Sequence, residues 1–371
     1  MPPTHSSLEA GSKLMASGQL DRAYEHLVRA LEESPENPLV LLQLGKLSLL
    51  AGMADEAWNF LRIAIEQDSR ITQEIRNLAD EFKASNRPAD AQAIHQFLNA
   101  QTALPQAPSV ERKPDLPFEL TFCVGAPRSG TTVIGSLLSE GPTAFPMLPE
   151  CSFITQLIRQ FRDILTGADQ ARFEAFAKTP GDLINVYRPA LEGFLRNAHS
   201  HFVSIPATHL ILKDPELSTY LDCLQFFFPR FKVVCVVRDP RDVVASSMRV
   251  NKKLGNPRTL EEVIAHSFSY YQCVAHSSLA RKGDVHFIHF ERVLRKEEDE
   301  FARLESYLGY AVGRHGFGKV FFEFDRSDAT YSDNYGKALR PLTEDRSLLG
   351  EEGERRVEEV FAAFNRTWHW W

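Results

Sequence analysis

The stretch Phe118-Glu-Leu-Thr-Phe-Cys-Val-Gly-Ala-Pro-Arg-Ser-Gly-Thr-Thr132 restricts the fold more than any other part of the chain. Apolar residues of strand character run without a break into a glycine-framed loop, and helix formers follow at once. Beyond this stretch the chain alternates strands and helices, which implies a mostly parallel sheet covered by helices. The loop is also an anion cradle by composition. Ser129, Gly130, Thr131 and Thr132 open the helix, where amides without intrahelical partners and the positive end of the helix dipole converge. Gly125 and Gly130 let the backbone curl around such a ligand.

The loop departs from the triphosphate-binding pattern G-x-x-x-x-G-K-[ST]: Thr131 stands where that pattern needs lysine. Its cation comes earlier, as Arg128. Two further strand ends carry charge. Val236-Val-Arg-Asp-Pro-Arg-Asp-Val-Val-Ala-Ser-Ser247 places Arg238 at a strand tip, with Pro240 opening a helix and Ser246 two turns along it. A guanidinium fork and a hydroxyl form a phosphate-binding pair, although Arg238 could equally form a structural ion pair with Asp239 or Asp242. In Leu210-Ile-Leu-Lys-Asp-Pro-Glu216 another strand delivers Lys213, which reads either as an anion ligand or as a surface cap. Ligands of open α/β sheets collect at such carboxyl ends.

These segments, in this order, resemble the P-loop sulfotransferases, which use 3′-phosphoadenosine 5′-phosphosulfate (PAPS). Pro-Arg-Ser-Gly-Thr-Thr resembles their 5′-phosphosulfate loop, Arg238 with Ser246 their 3′-phosphate segment, and Lys213-Asp-Pro the corresponding run of tyrosylprotein sulfotransferases. The resemblance covers about residues 115 to 371 and implies sulfuryl transfer from PAPS to an acceptor hydroxyl, releasing 3′-phosphoadenosine 5′-phosphate. It implies that Ser129, Gly130, Thr131 and Thr132 hold the 5′-phosphate, that Arg128 and Lys213 stabilise the transferring group and bridging oxygen, and that Arg238 and Ser246 hold the 3′-phosphate. Glu150, in Met147-Leu-Pro-Glu-Cys-Ser-Phe153, stands near the spacing of the family's catalytic glutamate and is the candidate base, with Glu140 as runner-up. Arg326-Ser327 and the basic loop Asn334-Tyr-Gly-Lys337 supply Ser327 and Lys337 as further nucleotide contacts. A tyrosyl peptide is the acceptor favoured by these motifs, with sugars and small alcohols open.

The first hundred residues follow another rule. Gly11 recurs as Gly45 and then Ala79, and Ala23 as Ala57 and Ala91, a spacing of 34; this is the length of tetratricopeptide repeats, which residues 6 to 104 resemble. His95 replaces Leu27 and Leu61, so the third unit is degenerate and reads as a cap. The Pro-rich run from Leu104 to Pro117 reads as a linker. The expected architecture is an α/β parallel sheet flanked by helices over 118–371, preceded by an all-α repeat domain over 1–104 and a linker over 105–117.

A net charge of −7 argues against a general nucleic-acid or membrane-surface binder. The five scattered cysteines, without a C-x-x-C pair, and a start lacking a signal-type apolar run fit a cytoplasmic protein. The histidine spacings match no metal motif, so no metal is expected. The repeat arm implies a protein partner or self-association. Two other function classes stay open: a nucleotide-dependent phosphotransferase using the same loop, and a non-catalytic repeat scaffold.

Overall fold

A computed structural model describes residues 3–68, 70–101, 116–167, 175–177, 179–202, 204–317 and 346–368. The chain divides into two compact units. One comprises Met1–Gln106, Phe161–Asp182 and Glu359–Thr367, the other Ala107–Gln160, Leu183–Glu358 and Trp368–Trp371.

The first unit contains six helices of 13 or 14 residues: α1 (Pro3–Ala16), α2 (Leu20–Glu33), α3 (Pro38–Leu50), α4 (Ala54–Gln67), α5 (Ile71–Ala84) and α6 (Pro88–Gln101). They pack as consecutive pairs. The repeat period has a steric origin. A Cβ on Gly11 would lie 2.7 Å from Leu27 Cγ, and one on Gly45 the same distance from Leu61 Cγ. Each pair therefore closes with a glycine of one helix against a leucine of the next. In the third pair the small residues Ala79 and Ala91 remain buried, while His95 is exposed. The turns repeat as well: Gly18, Gly52 and Asn86, again 34 apart, have φ of +76°, +77° and +60°. Asparagine is among the few non-glycine residues that tolerate this region.

The second unit is built on four parallel strands, β1 (Glu119–Gly125), β2 (His209–Lys213), β3 (Lys232–Val237) and β4 (Val285–His289), in the order β2-β1-β3-β4. All but the first residue of β1 are buried, the polar Thr121 included. This unit also holds α7 (Thr131–Ser139), α10 (Pro240–Lys253), α11 (Leu260–Ala275), α12 (Phe290–Leu294) and α13 (Glu298–Leu308), while α8 (Ser152–Gly167), α9 (Pro180–Ser200) and α14 (Gly350–Trp368) each have residues in both units. Cys123, Val234, Val236 and Ile288 share a core with Ile134 and Leu138 of α7 and with Phe301 and Leu304 of α13. Among the described residues, no helix is long and apolar enough to cross a membrane.

Two stretches with helical residue patterns are interrupted in the structure. Thr259 to Ala280 reads as one helix, but α11 ends at Ala275 and Ser277 starts a new turn by accepting from the Ala280 amide at 3.1 Å. Hydroxyl competition with the backbone explains the interruption. Leu217 to Phe227 is a 3₁₀ segment, Glu216–Cys223, joined to a single α turn, with Tyr220 outside helical geometry.

Candidate active site

The carboxyl ends of β1, β2 and β3 bring the candidate residues to one edge of the sheet. After β1 the chain turns tightly: Ser129 N donates to Ala126 O at 3.0 Å, Arg128 has φ +73° and Gly130 φ +100°. A positive φ at arginine is unfavourable without structural support. Ser218 supplies part of it from the segment after β2, its Oγ accepting from Gly125 N at 2.9 Å. At Gly130, a Cβ would stand 2.3 Å from the ring of Phe290, which follows β4.

The donor chemistry suits an anion. The first-turn amides of α7 have no carbonyl one turn back to receive them. Ser129 Oγ is fully buried and lacks a hydrogen-bond partner among the described residues, so it faces protein rather than solvent. Arg128, Gly130 and Thr132 are the more accessible members of the loop.

Lys213 ends β2 with only 2% of its side chain exposed, donating to Thr132 Oγ1 at 3.2 Å and forming an ion pair with Glu150. Glu150, preceding α8, is half exposed. One buried ammonium thus joins the first turn of α7 to the candidate base. Glu140, the runner-up, caps the far end of α7, about 13 Å along a helix of this length. There its Oε2 accepts from Gly316 N at 3.2 Å.

Arg238, beyond β3, donates from Nη1 to Arg128 O at 2.9 Å, and its Nη2 lies 3.8 Å from Asp242. Its guanidinium stands over the Phe290 ring, 5.1 Å from the centroid. Arg128 Nε donates to Ser246 Oγ at 3.2 Å. Arg128, Arg238 and Ser246 therefore form one cluster, and an Arg238–Asp242 ion pair is present inside it. Ser327 and Lys337, with Arg326 and Arg340, lie outside the described residues.

Several supporting residues were given no role from the sequence. Tyr271 OH donates to Arg238 O at 2.6 Å, and Glu291 accepts from Asp239 N at 2.8 Å. Asp214 accepts from Thr155 Oγ1 at 2.6 Å and from Glu216 N at 2.9 Å. Asp214 falls inside the Lys213-Asp-Pro run, but only tertiary contacts distinguish it, and Glu291, from solvated charge. All five cysteines are buried and outside any disulfide. Burial pushes the Cys123 thiol up to about 12, unsuited to a nucleophile at neutral pH. Among the described residues, no group of three or more His, Cys, Asp or Glu could hold a metal ion. A cavity of about 620 Å³ opens at the other end of the sheet, between Glu119, Lys232 and Asp284, away from the loop.

Burial raises Asp214 to about 6 from 3.8; the bonds from Thr155 and Glu216 oppose the rise, and the Glu150 and Glu216 charges add to it. Because the folded value is the higher one, folding takes up a proton here. The stabilisation is complete below the unfolded value and is lost as pH rises through about 6. The wild type should therefore lose about 3 kcal/mol more stability than Asp214→Asn between pH 3 and pH 7. Denaturant titrations at both pH values check this, and equal losses in the two proteins would contradict it.

Residues 121–313, just over half the chain, match the sulfotransferase family, and residues 14–81 match the tetratricopeptide repeat. The chain belongs to the sulfotransferase family. It is 23% identical over 252 residues to a Caenorhabditis briggsae protein named "Putative protein-tyrosine sulfotransferase", an alignment covering 65% of this chain and 86% of the relative. Similar solved structures include sulfotransferase STF9 from Mycobacterium avium, at 15% identity and TM-score 0.41, covering 90% of this chain and 97% of that one. The sulfotransferase domain of the Synechococcus PCC 7002 olefin synthase has 17% identity and TM-score 0.39, covering 68% and 98% respectively. PAPS is the co-substrate typical of the family.

Proposed function

We propose that this sulfotransferase moves a sulfuryl group from PAPS to the hydroxyl of a tyrosyl peptide or protein, with 3′-phosphoadenosine 5′-phosphate as the other product. The contact of Lys213 with both Thr132 and Glu150 carries this reading. A sulfuryl donor beside the first turn of α7 puts its bridging oxygen near the Lys213 ammonium, which stabilises negative charge developing there. Glu150, on the solvent side of that ammonium, accepts the proton of the incoming hydroxyl. Arg128 and the α7 amides hold the 5′-phosphosulfate, while Arg238 and Ser246 hold the 3′-phosphate; Arg128 leaves Ser246 when the nucleotide enters.

The tyrosyl acceptor is suggested by the name of the curated relative and by the Lys213-Asp-Pro motif. The repeat unit, taken as residues 1–104 with a linker over 105–117 and the catalytic domain over 118–371, would present an acceptor protein or a second copy of the chain. Five buried thiols outside any disulfide suit a reducing cytoplasm. Radiolabelled PAPS incubated with tyrosyl peptides and with cell extract tests the function. Label on tyrosine is expected, whereas binding that requires Mg²⁺ and prefers ATP would overturn the reading in favour of phosphotransfer.

Arg238→Ala should weaken 3′-phosphoadenosine 5′-phosphate binding by at least about 1.5 kcal/mol, the scale of a charged hydrogen bond, and barely affect adenosine 5′-phosphosulfate. Calorimetry compares the two ligands. Equal losses would show that Arg238 does not read the 3′-phosphate and serves only its pair with Asp242.

A further inference from the structure

Glu150 lies outside any helix, two residues before α8, yet meets a buried ammonium across 63 residues of chain. Its backbone neighbour is tied to the same strand end: Cys151 N donates to Lys213 O at 3.0 Å. Cys151 O in turn accepts from Ile154 N at 2.9 Å and from Thr155 N at 3.2 Å, which starts α8 at this point. The remaining tie is between side chains. Thr155, 1% exposed, donates its hydroxyl to Asp214, 3% exposed, and Asp214 N donates to Cys123 O of β1 at 3.2 Å. The segment bearing Glu150 is thereby anchored through one hydroxyl and one carboxylate to the two strands that position Lys213 and the loop.

A carboxylate is an expensive anchor. A buried hydrogen bond to a neutral group avoids the desolvation of a charge, and the charges of Glu150 and Glu216 lie close enough to oppose ionisation of Asp214. An ionised Asp214 offers only acceptors, so it fixes the Thr155 hydroxyl as donor and receives the Glu216 amide on its other oxygen. That pins the direction of both bonds and, with them, the first turn of α8.

We propose that Asp214 and Thr155 are positioning residues for sulfuryl transfer: their hydrogen bond holds the start of α8 so that Glu150 stays against Lys213. The inference rests on the reading of Glu150 as the base. Neither residue touches the reacting atoms, and their effect passes through Glu150.

A double-mutant cycle in the full-length chain, assayed with radiolabelled PAPS and a tyrosyl peptide, tests it. Thr155→Val, which keeps shape and loses the donor, should lower kcat about tenfold and leave KM for PAPS within twofold, and Thr155→Ser should restore kcat. Combined with Glu150→Gln, Thr155→Val should cause no further loss, because the misplaced group is already absent. Should Thr155→Val fail to fold, Asp214→Asn interrogates the same bond in the same cycle. A wild-type kcat in Thr155→Val, or a full tenfold loss added on top of Glu150→Gln, overturns the positioning role while leaving Glu150 as base. A Glu150→Gln enzyme with normal turnover removes the base itself, and this inference falls with it.

Discussion

Glu150→Gln is expected to lower turnover by about 100-fold or more, the contribution of a positioned general base, with nucleotide affinity retained. The substitution keeps size and polarity, and half the side chain faces solvent, so the fold has little reason to change. Removing the proton acceptor costs about 2.7 kcal/mol of transition-state stabilisation at that ratio. Single-turnover rates with PAPS and an acceptor, alongside calorimetric binding of 3′-phosphoadenosine 5′-phosphate, separate chemistry from binding. Near-normal turnover would overturn the base assignment. It would turn attention to Glu140, which accepts from Gly316 N at the far end of α7.

Gly130→Ala should abolish detectable nucleotide binding and lower stability by about 3 kcal/mol, combining the cost of a left-handed φ with overpacking of a closed contact. The residue has φ +100°, and the new methyl would stand 2.3 Å from one Phe290 ring atom and 2.5 Å from another. The ring also lies beneath the Arg238 guanidinium, so a shift of Phe290 would disturb the second candidate phosphate contact as well. Phe290→Leu in the Gly130→Ala background should recover part of the stability by freeing space, but not the share lost to backbone strain. Unchanged melting and unchanged nucleotide affinity in Gly130→Ala would show that the loop adopts another conformation.

The alternation of strands and helices was legible because buried parallel strands announce themselves as apolar runs; β3 is one after Lys232, and β1 becomes one after Thr121. The repeat period was legible for a related reason: Gly11 and Gly45 are forced by the leucines opposite them, so sterics writes the same small residue into each copy. Local chemistry was harder. The hydroxyl of Ser277 interrupts what otherwise reads as one long helix, because a side chain that can cap also competes with helix continuation. Asp214, Tyr271 and Glu291 left no local sign of their roles. A carboxylate accepting buried hydrogen bonds is spelled the same way as one in solvent.

By itself the sequence determined the kinds of element, their order, and the charged residues standing at each strand end. These follow from the two-residue period of strands, the 3.6-residue period of helices and the conformational demands of glycine and proline, all of which act within a few residues. The tertiary structure decided which strand ends are neighbours. The order β2-β1-β3-β4 sets Lys213 on one side of the loop and Arg238 on the other, joining Lys213 to Glu150 across 63 residues and Arg128 to Ser246 across 118. Such contacts depend on sheet order and on the packing of α7 and α8, and no local periodicity encodes them. A side chain's neighbours are set by the whole core that must be buried, whereas its identity is set one position at a time.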